Sequence, residues 1–421
     1  MIANSRCIAC NLSKKEEKIR KHSDEKKKKE FIQKVTGILY KYGDIESTPM
    51  LDKRIQDIYN EYYEEETDYV ALKHKYNQYM LEREDEIKEH LKEAKNIKDY
   101  IIDNALIIAL LITIIGIIII EPSFLQWRVV TDIMTQSAVK LICALGLMFP
   151  LLLGGTDLAG GRQVGLAAVV VASLAQKAGY SKLFWPGLPE LPIFVPILVA
   201  LAVVALIGYL NGLMICKLRM APFIATYGMA SAVYGLNQLY FAKAPNNSQP
   251  IGGIRDDLTI LSRFRIGGQV SFLVVIALVV MAVVWFILNR TTFGKNIYIT
   301  GGNKEAAKVS GINVNKVIIA CFIIESILVG LAGILEVART GGANAGYGNA
   351  YEFDAISSCV VGGVSLSGGI GKVSGAFIGV MIFTFISYGL SFIGLNSNWQ
   401  LVIKGIIICS AVALDMRKNA K

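Results

Sequence analysis

Beyond Asp99 the sequence is a succession of apolar stretches, near residues 101–120, 136–153, 163–178, 193–215, 221–241, 270–288, 316–338, 352–366, 373–394 and 398–415. A bilayer core about 30 Å thick asks for about 20 such residues in a helix, and shorter runs serve where a helix is broken. Hydrocarbon offers no water to backbone amides and carbonyls, so each run must satisfy its own, which an α-helix does. The expected fold is therefore an all-α polytopic membrane protein with about ten transmembrane helices.

Charge divides the chain at about the same place. Residues 1–100 hold 21 Lys/Arg and 21 Asp/Glu, so the whole formal net charge of +9 comes from residues 101–421. Segments near 30–42 and 51–95 carry aromatic and aliphatic residues at three- and four-residue steps (Ile55, Ile58, Tyr59, Tyr62, Tyr63), between breakers at Gly43 and Pro49. We expect residues 1–100 to form a charged helical cytoplasmic extension and residues 101–421 the transmembrane domain. The start, Met1-Ile2-Ala3-Asn4-Ser5-Arg6, lacks the basic, apolar and small-residue succession of a signal peptide. Ten spans put both termini on one side, and twelve loop cations on that side against eight opposite assign it to the cytoplasm. No basic stripe with interleaved aromatics points to nucleic acid.

Seven cysteines, five of them in apolar runs, read as buried free thiols. Cys7 and Cys10 have ligand spacing but no completing pair, and His22, His74 and His90 all precede the membrane part, so no metal site is expected.

The octet Gly154-Gly155-Thr156-Asp157-Leu158-Ala159-Gly160-Gly161 returns as Gly362-Gly363-Val364-Ser365-Leu366-Ser367-Gly368-Gly369, each time after an apolar run. A repeated helix-breaking signature predicts two pseudo-repeated halves, running parallel on the ten-span count and inverted if one short segment is re-entrant. Four glycines in eight residues remove side chains and free backbone groups, which survive at membrane depth only against protein or a water-filled path. Both octets are thus candidate linings of a translocation path, with close helix packing as the plainer reading. Asp157 is costly there unless paired, and Arg162 is the expected partner. Lys140 and Glu336 are expected to reach the interface, and Glu325 and Lys404 to pair with each other. Asn211, Tyr234, Asn237 and Gln238 could hydrogen-bond a neutral solute.

The longest inner loop, residues 289–315, holds a short helical sequence. Asn303 is a suitable N-cap, Lys304-Glu305-Ala306-Ala307-Lys308-Val309-Ser310 favours helix, and Gly311 is a natural stop. Two turns of helix are marginal alone, so this segment should dock, with Ala306 and Ala307 as a small close-packing surface. No Walker A sequence exists, since Gly371-Lys372 is followed by Val373 and Leu366 occupies the first Gly position. The chain is not expected to be an enzyme, and any ATP hydrolysis belongs to a partner.

Four segments together, GGTDLAGGRQVGLAAVV (154–170), FIATYGMASAVYGLN (223–237), GKNIYITGGNKEAAKVSGINV (294–314) and AISSCVVGGVSLSGGIGKVSGAFIGV (355–380), carry a family resemblance. Residues 100–421 resemble the membrane permeases of bacterial ATP-binding-cassette importers for monosaccharides, the ribose/galactose permease family, and most closely its galactose/methyl-galactoside branch. The resemblance implies import of galactose, a methyl galactoside or glucose across the inner membrane by a homodimer of permeases. It implies a cytoplasmic ATPase that holds ATP and magnesium, an extracytoplasmic sugar-binding protein, and no cofactor in this chain. It also implies that 303–311 is the coupling helix seated in the ATPase. The first 100 residues depart from the family's short tail. The alternative is an ion-coupled secondary sugar carrier, against which the lack of membrane histidines and the scarcity of deep carboxylates weigh.

Overall fold

The computed structural model describes residues 114–396, 398–400, 402–403 and 405–406. The 1–100 segment with Cys7, Cys10 and the three histidines, most of the first and last expected spans, Lys404 and Cys409 lie outside the described residues. A 3-10 turn (Pro122–Leu125) leads into α1 (Trp127–Leu152), α2 (Gly160–Leu174), α3 (Phe194–Cys216), α4 (Pro222–Ala242) and α5 (Asp256–Arg263). A hairpin of β1 (Arg265–Ile266) and β2 (Val270–Ser271) precedes α6 (Phe272–Arg290), α7 (Thr292–Gly302), α8 (Lys304–Val309), α9 (Val314–Thr340), α10 (Tyr351–Val361) and α11 (Val373–Phe392).

Every expected span from 136–153 to 373–394 is met by a helix. Among the described residues α1, α3, α6, α9 and α11 are long and apolar enough to cross a membrane. The hairpin departs from the all-α expectation, because Gly267 and Gly268 both take positive φ within a three-residue loop, 267–269. α1 begins well before the expected 136, since Thr131, Asp132 and Gln136 dilute its apolar signal without breaking the helix.

Burial sorts the long helices by position. The apolar window of α1 is 83% buried, against 33% for α3 and 28% for α6. What α3 and α6 expose is itself apolar, including Leu198, Leu206, Val279 and Phe286. Such faces suit hydrocarbon and not water. α9, whose 27 residues extend about 40 Å, is the central post and packs along α1, α2 and α3.

Two helices are short because the chain enters each of them part-way along α9. α2 starts beside its middle, where Gly160 lies against Glu325 and Leu147, and Gly333 of α9 backs onto the Val164 carbonyl. α10 starts where Gly348 abuts Val164 and Gly165. The N-termini of α2 and α10 therefore meet inside the protein, the geometry of broken helices in transporters. From there α2 runs away from α8, ending where the Ala175 carbonyl accepts the Arg255 amide. α10 runs toward α8 along α1, and the Cys359 thiol donates to the Ala144 carbonyl at 3.3 Å. Cys143, Cys321 and Cys359 are buried free thiols, as expected, whereas the free thiol Cys216 is half-buried.

Candidate translocation core and coupling segment

α1 ends on Gly154, whose φ of +71° admits no ordinary side chain without strain. A Cβ there would stand 2.9 Å from the Ser367 carbonyl oxygen of the second octet. Gly369 donates its amide to the Leu152 carbonyl at 2.8 Å. Gly301, near the end of α7, presses on the same pair: an added methyl would overlap the Leu152 carbonyl and lie 2.7 Å from the Gly369 nitrogen. A Cβ on Gly368 would meet the Gly154 nitrogen at 2.6 Å. The two octets and the end of α7 thus join through backbone alone. Gly155 lies against Pro222, Gly362 backs onto Gly375 of α11, and Gly363 faces open space.

Asp157 lies past this junction, fully buried beside the start of α2. Its Oδ1 accepts the Ala159 amide at 2.6 Å and its Oδ2 accepts Asn211 Nδ2 at 3.3 Å. Thr226 of α4 fastens the flanks, accepting the Leu158 amide and donating to the Thr156 carbonyl. Glu325, also fully buried, accepts the Ser326 hydroxyl at 3.1 Å and touches Asp157.

The expected Asp157–Arg162 pair does not form. α2 begins at Gly160, so Asp157 belongs to the entering strand of chain and faces α3 and α9. Arg162 sits on the first turn and stacks its guanidinium 4.6 Å from the Tyr234 ring centroid on α4. The expected Glu325–Lys404 pair has its lysine outside the described residues, and within them Glu325 lies beside Asp157. Glu336 does not reach outward either. It is 6% exposed and takes two hydrogen bonds from Arg339, at 3.0 and 2.7 Å.

Polar atoms without hydrogen-bond partners gather around the first turns of α2. Both amide atoms of Gln163, Asn211 Oδ1, Asn237 Oδ1, Glu325 Oε1 and Glu352 Oε2 are buried in this way. Groups of this kind are costly in a protein interior and mark a place where something else binds or passes. Of the solute-contacting candidates, Asn211 and Asn237 are buried here, Tyr234 holds Arg162, and Gln238 is half-buried. A cavity of about 280 Å³ opens between α1, α9 and α10, lined by Gln136, Lys140, Glu336, Arg339, Tyr351 and Asp354 among others. Sequence reading missed it as a site, although Arg339 and Tyr351 are a cation and a phenol at the mouth of an apolar span.

The 303–311 segment folds as its residues dictate. Asn303 Oδ1 accepts the Glu305 and Ala306 amides, both at 3.0 Å, and Gly311 follows the helix with φ +79°. Lys308 pairs with Glu305 at 2.7 Å. The two alanines part company, since Ala307 is buried against its own chain while Ala306 is exposed. The apolar surface α8 offers outward is Val309, 91% exposed. At the far end Lys177 bonds Asp256 at 2.8 Å, and that hydrogen bond and charge hold the exposed carboxyl below its usual range.

Broken helices meeting inside an apolar bundle, small-residue joints and a capped surface helix define a helical membrane permease. Residues 129–412 match the family described as the permease component of branched-chain amino acid transport systems, and the chain belongs to that permease family. It is similar to the galactose/methyl galactoside import permease protein MglC of Haemophilus influenzae, 44% identical over 77% of this chain and 96% of that protein. The protein of the same description from Escherichia coli is 42% identical over 78% and 98%. The ribose import permease protein RbsC of Escherichia coli is 34% identical over 76% and 96%. No solved structure matches. The chain is a permease component of an importer of the ATP-binding-cassette class.

Proposed function

We propose that this permease carries galactose, a methyl galactoside or glucose into the cytoplasm across the inner membrane. The observation that supports this reading best is the 44% identity along nearly the whole of a galactose/methyl galactoside import permease, against 34% to a ribose import permease. The cavity of about 280 Å³ offers hydrogen-bonding side chains to a hydroxyl-rich solute. Two copies of the chain, each with about ten transmembrane helices in two related halves, form the pore. An extracytoplasmic binding protein delivers the sugar, and a cytoplasmic ATPase holds ATP and magnesium.

In this reading the α8 end and both termini face the cytoplasm, with residues 1–100 as a cytoplasmic extension. The segment 303–311 seats in the ATPase, with Val309 as its apolar contact. Both octets line the path, and the backbone joint at Gly301 connects α8 to them. The test is reconstitution in proteoliposomes with the ATPase and binding protein of the same system. ATP-dependent uptake of labelled galactose exceeding that of ribose is expected. Galactose uptake by the permease alone, driven by an ion gradient, would overturn the proposal. Gly311→Pro should uncouple hydrolysis from sugar, and wild-type sugar-stimulated hydrolysis in that variant would sink the coupling assignment.

A further inference from the structure

We propose that Asp157 and Glu325 hold one proton between them, carried on Glu325, and that this proton ties the start of α2 to the middle of α9. Both carboxyls are fully buried and lie side by side at Gly160, where an added Cβ would stand 3.0 Å from Glu325 Oε1. Ionised carboxylates are acceptors only, so contact of this kind needs a proton on one of them. The unpartnered oxygen agrees. Glu325 Oε1 is a buried oxygen that receives no N–H, as suits a hydroxyl that donates. Asn211 has already turned its Nδ2 toward Asp157, which fixes its oxygen beside the pair.

The hydrogen-bond inventory decides which group carries the proton. Asp157 is met by the Ala159 amide, the Asn211 amide and the backbone of Gly160, at the positive end of α2. Among the described residues Glu325 is met by the Ser326 hydroxyl. The anion therefore resides on Asp157 and the O–H on Glu325, pointing at Asp157.

The neighbouring charged groups do not displace this proton. Arg162 of α2 stacks on Tyr234 and its charge acts on Glu352 of α10. Glu352 and Asp354 of α10 stand nearby, and the Cys143 thiol of α1 faces Glu325 and Glu352. α3 and α4 contribute only the neutral Asn211 and Thr226. A surround with no cation in contact among the described residues favours keeping the proton.

The inference is independent of which solute is carried, and so is its test. The infrared spectrum of the purified full-length permease at neutral pH should contain the C=O band of a protonated carboxylic acid, absent in Glu325→Gln and retained in Glu352→Gln. Glu325→Gln, whose amide donates in place of the proton, should keep the wild-type melting temperature. Glu325→Ala should melt several degrees lower. A spectrum without the band, a band that survives Glu325→Gln, or a glutamine variant as unstable as the alanine one would overturn the proposal. So would stabilisation by sodium over choline that Glu325→Gln abolishes, which would put a cation in the proton's place.

Discussion

In the first octet the fourth residue is Asp157, fully buried and held by backbone, Asn211 and Glu325. In the second it is Ser365, whose hydroxyl accepts the Ser367 amide at 3.2 Å and goes no further. The first octet opens directly into a short helix, while the second follows one and is separated from α11 by three residues. They touch each other at Gly154, Ser367 and Gly368. One octet reaches inward and binds three other elements, and the other braces it from the α8 end. A repeated motif can therefore keep its backbone role in both copies while one copy alone carries the charge.

The joint between them is where a break should cost most. Gly301→Val drives a branched side chain into the Leu152 carbonyl, with only backbone to yield, and should cost at least about 3 kcal/mol and abolish uptake. Gly302→Val, next in sequence with open space at its Cβ, should behave like wild type. Thermal unfolding and membrane yield of the two variants check this, and equal losses would show that the joint is not what matters.

The inequality of the octets predicts the next effect. Asp157→Ala removes the acceptor for the Ala159 and Asn211 amides and for the Glu325 proton, costing about 3 kcal/mol, whereas Ser365→Ala loses one local bond worth about 1 kcal/mol. Paired melting curves measure the difference directly. Comparable shifts would make the octets equivalent after all.

Asn303→Ala probes how far the joint reaches. Loss of a doubly bonded N-cap costs about 1 kcal/mol and should raise amide exchange in α8 while leaving exchange near Asp157 unchanged. The smallest effect lies at the far end. Asp256 is held below its usual range by Lys177, so the tie between α5 and the segment after α2 is complete above the unfolded value of about 3.9 and fades as pH falls through the lower folded one. Exchange in α5 at falling pH, with Lys177→Met as the insensitive control, reads it out.

The spans were legible because hydrocarbon imposes length and composition, and α8 was legible because Asn303 is a strong local start signal and Gly311 a stop signal. Partners across the bundle were not. Arg162 is five residues from Asp157 in sequence, yet helix geometry sends it to Tyr234. Glu325 lies beside an aspartate 168 residues away in sequence. Ala307 turned inward because the chain folds back under α8, where Ile312 donates to its carbonyl at 3.0 Å. Local chemistry is written in neighbouring residues, whereas the polar cavity and the carboxyl pair depend on which helices the bundle brings together.

The joint at Gly154, Gly301 and Gly368 has a consequence for how this protein can change over evolutionary time. Tight contacts between side chains can be relieved by trimming one partner when the other grows. Here the opposing surfaces are backbone, so no second substitution can make room. Three widely separated codons are thereby locked together without any pairwise exchange open to them, and suppressors of Gly301→Val should arise as shifts of whole helices or not at all.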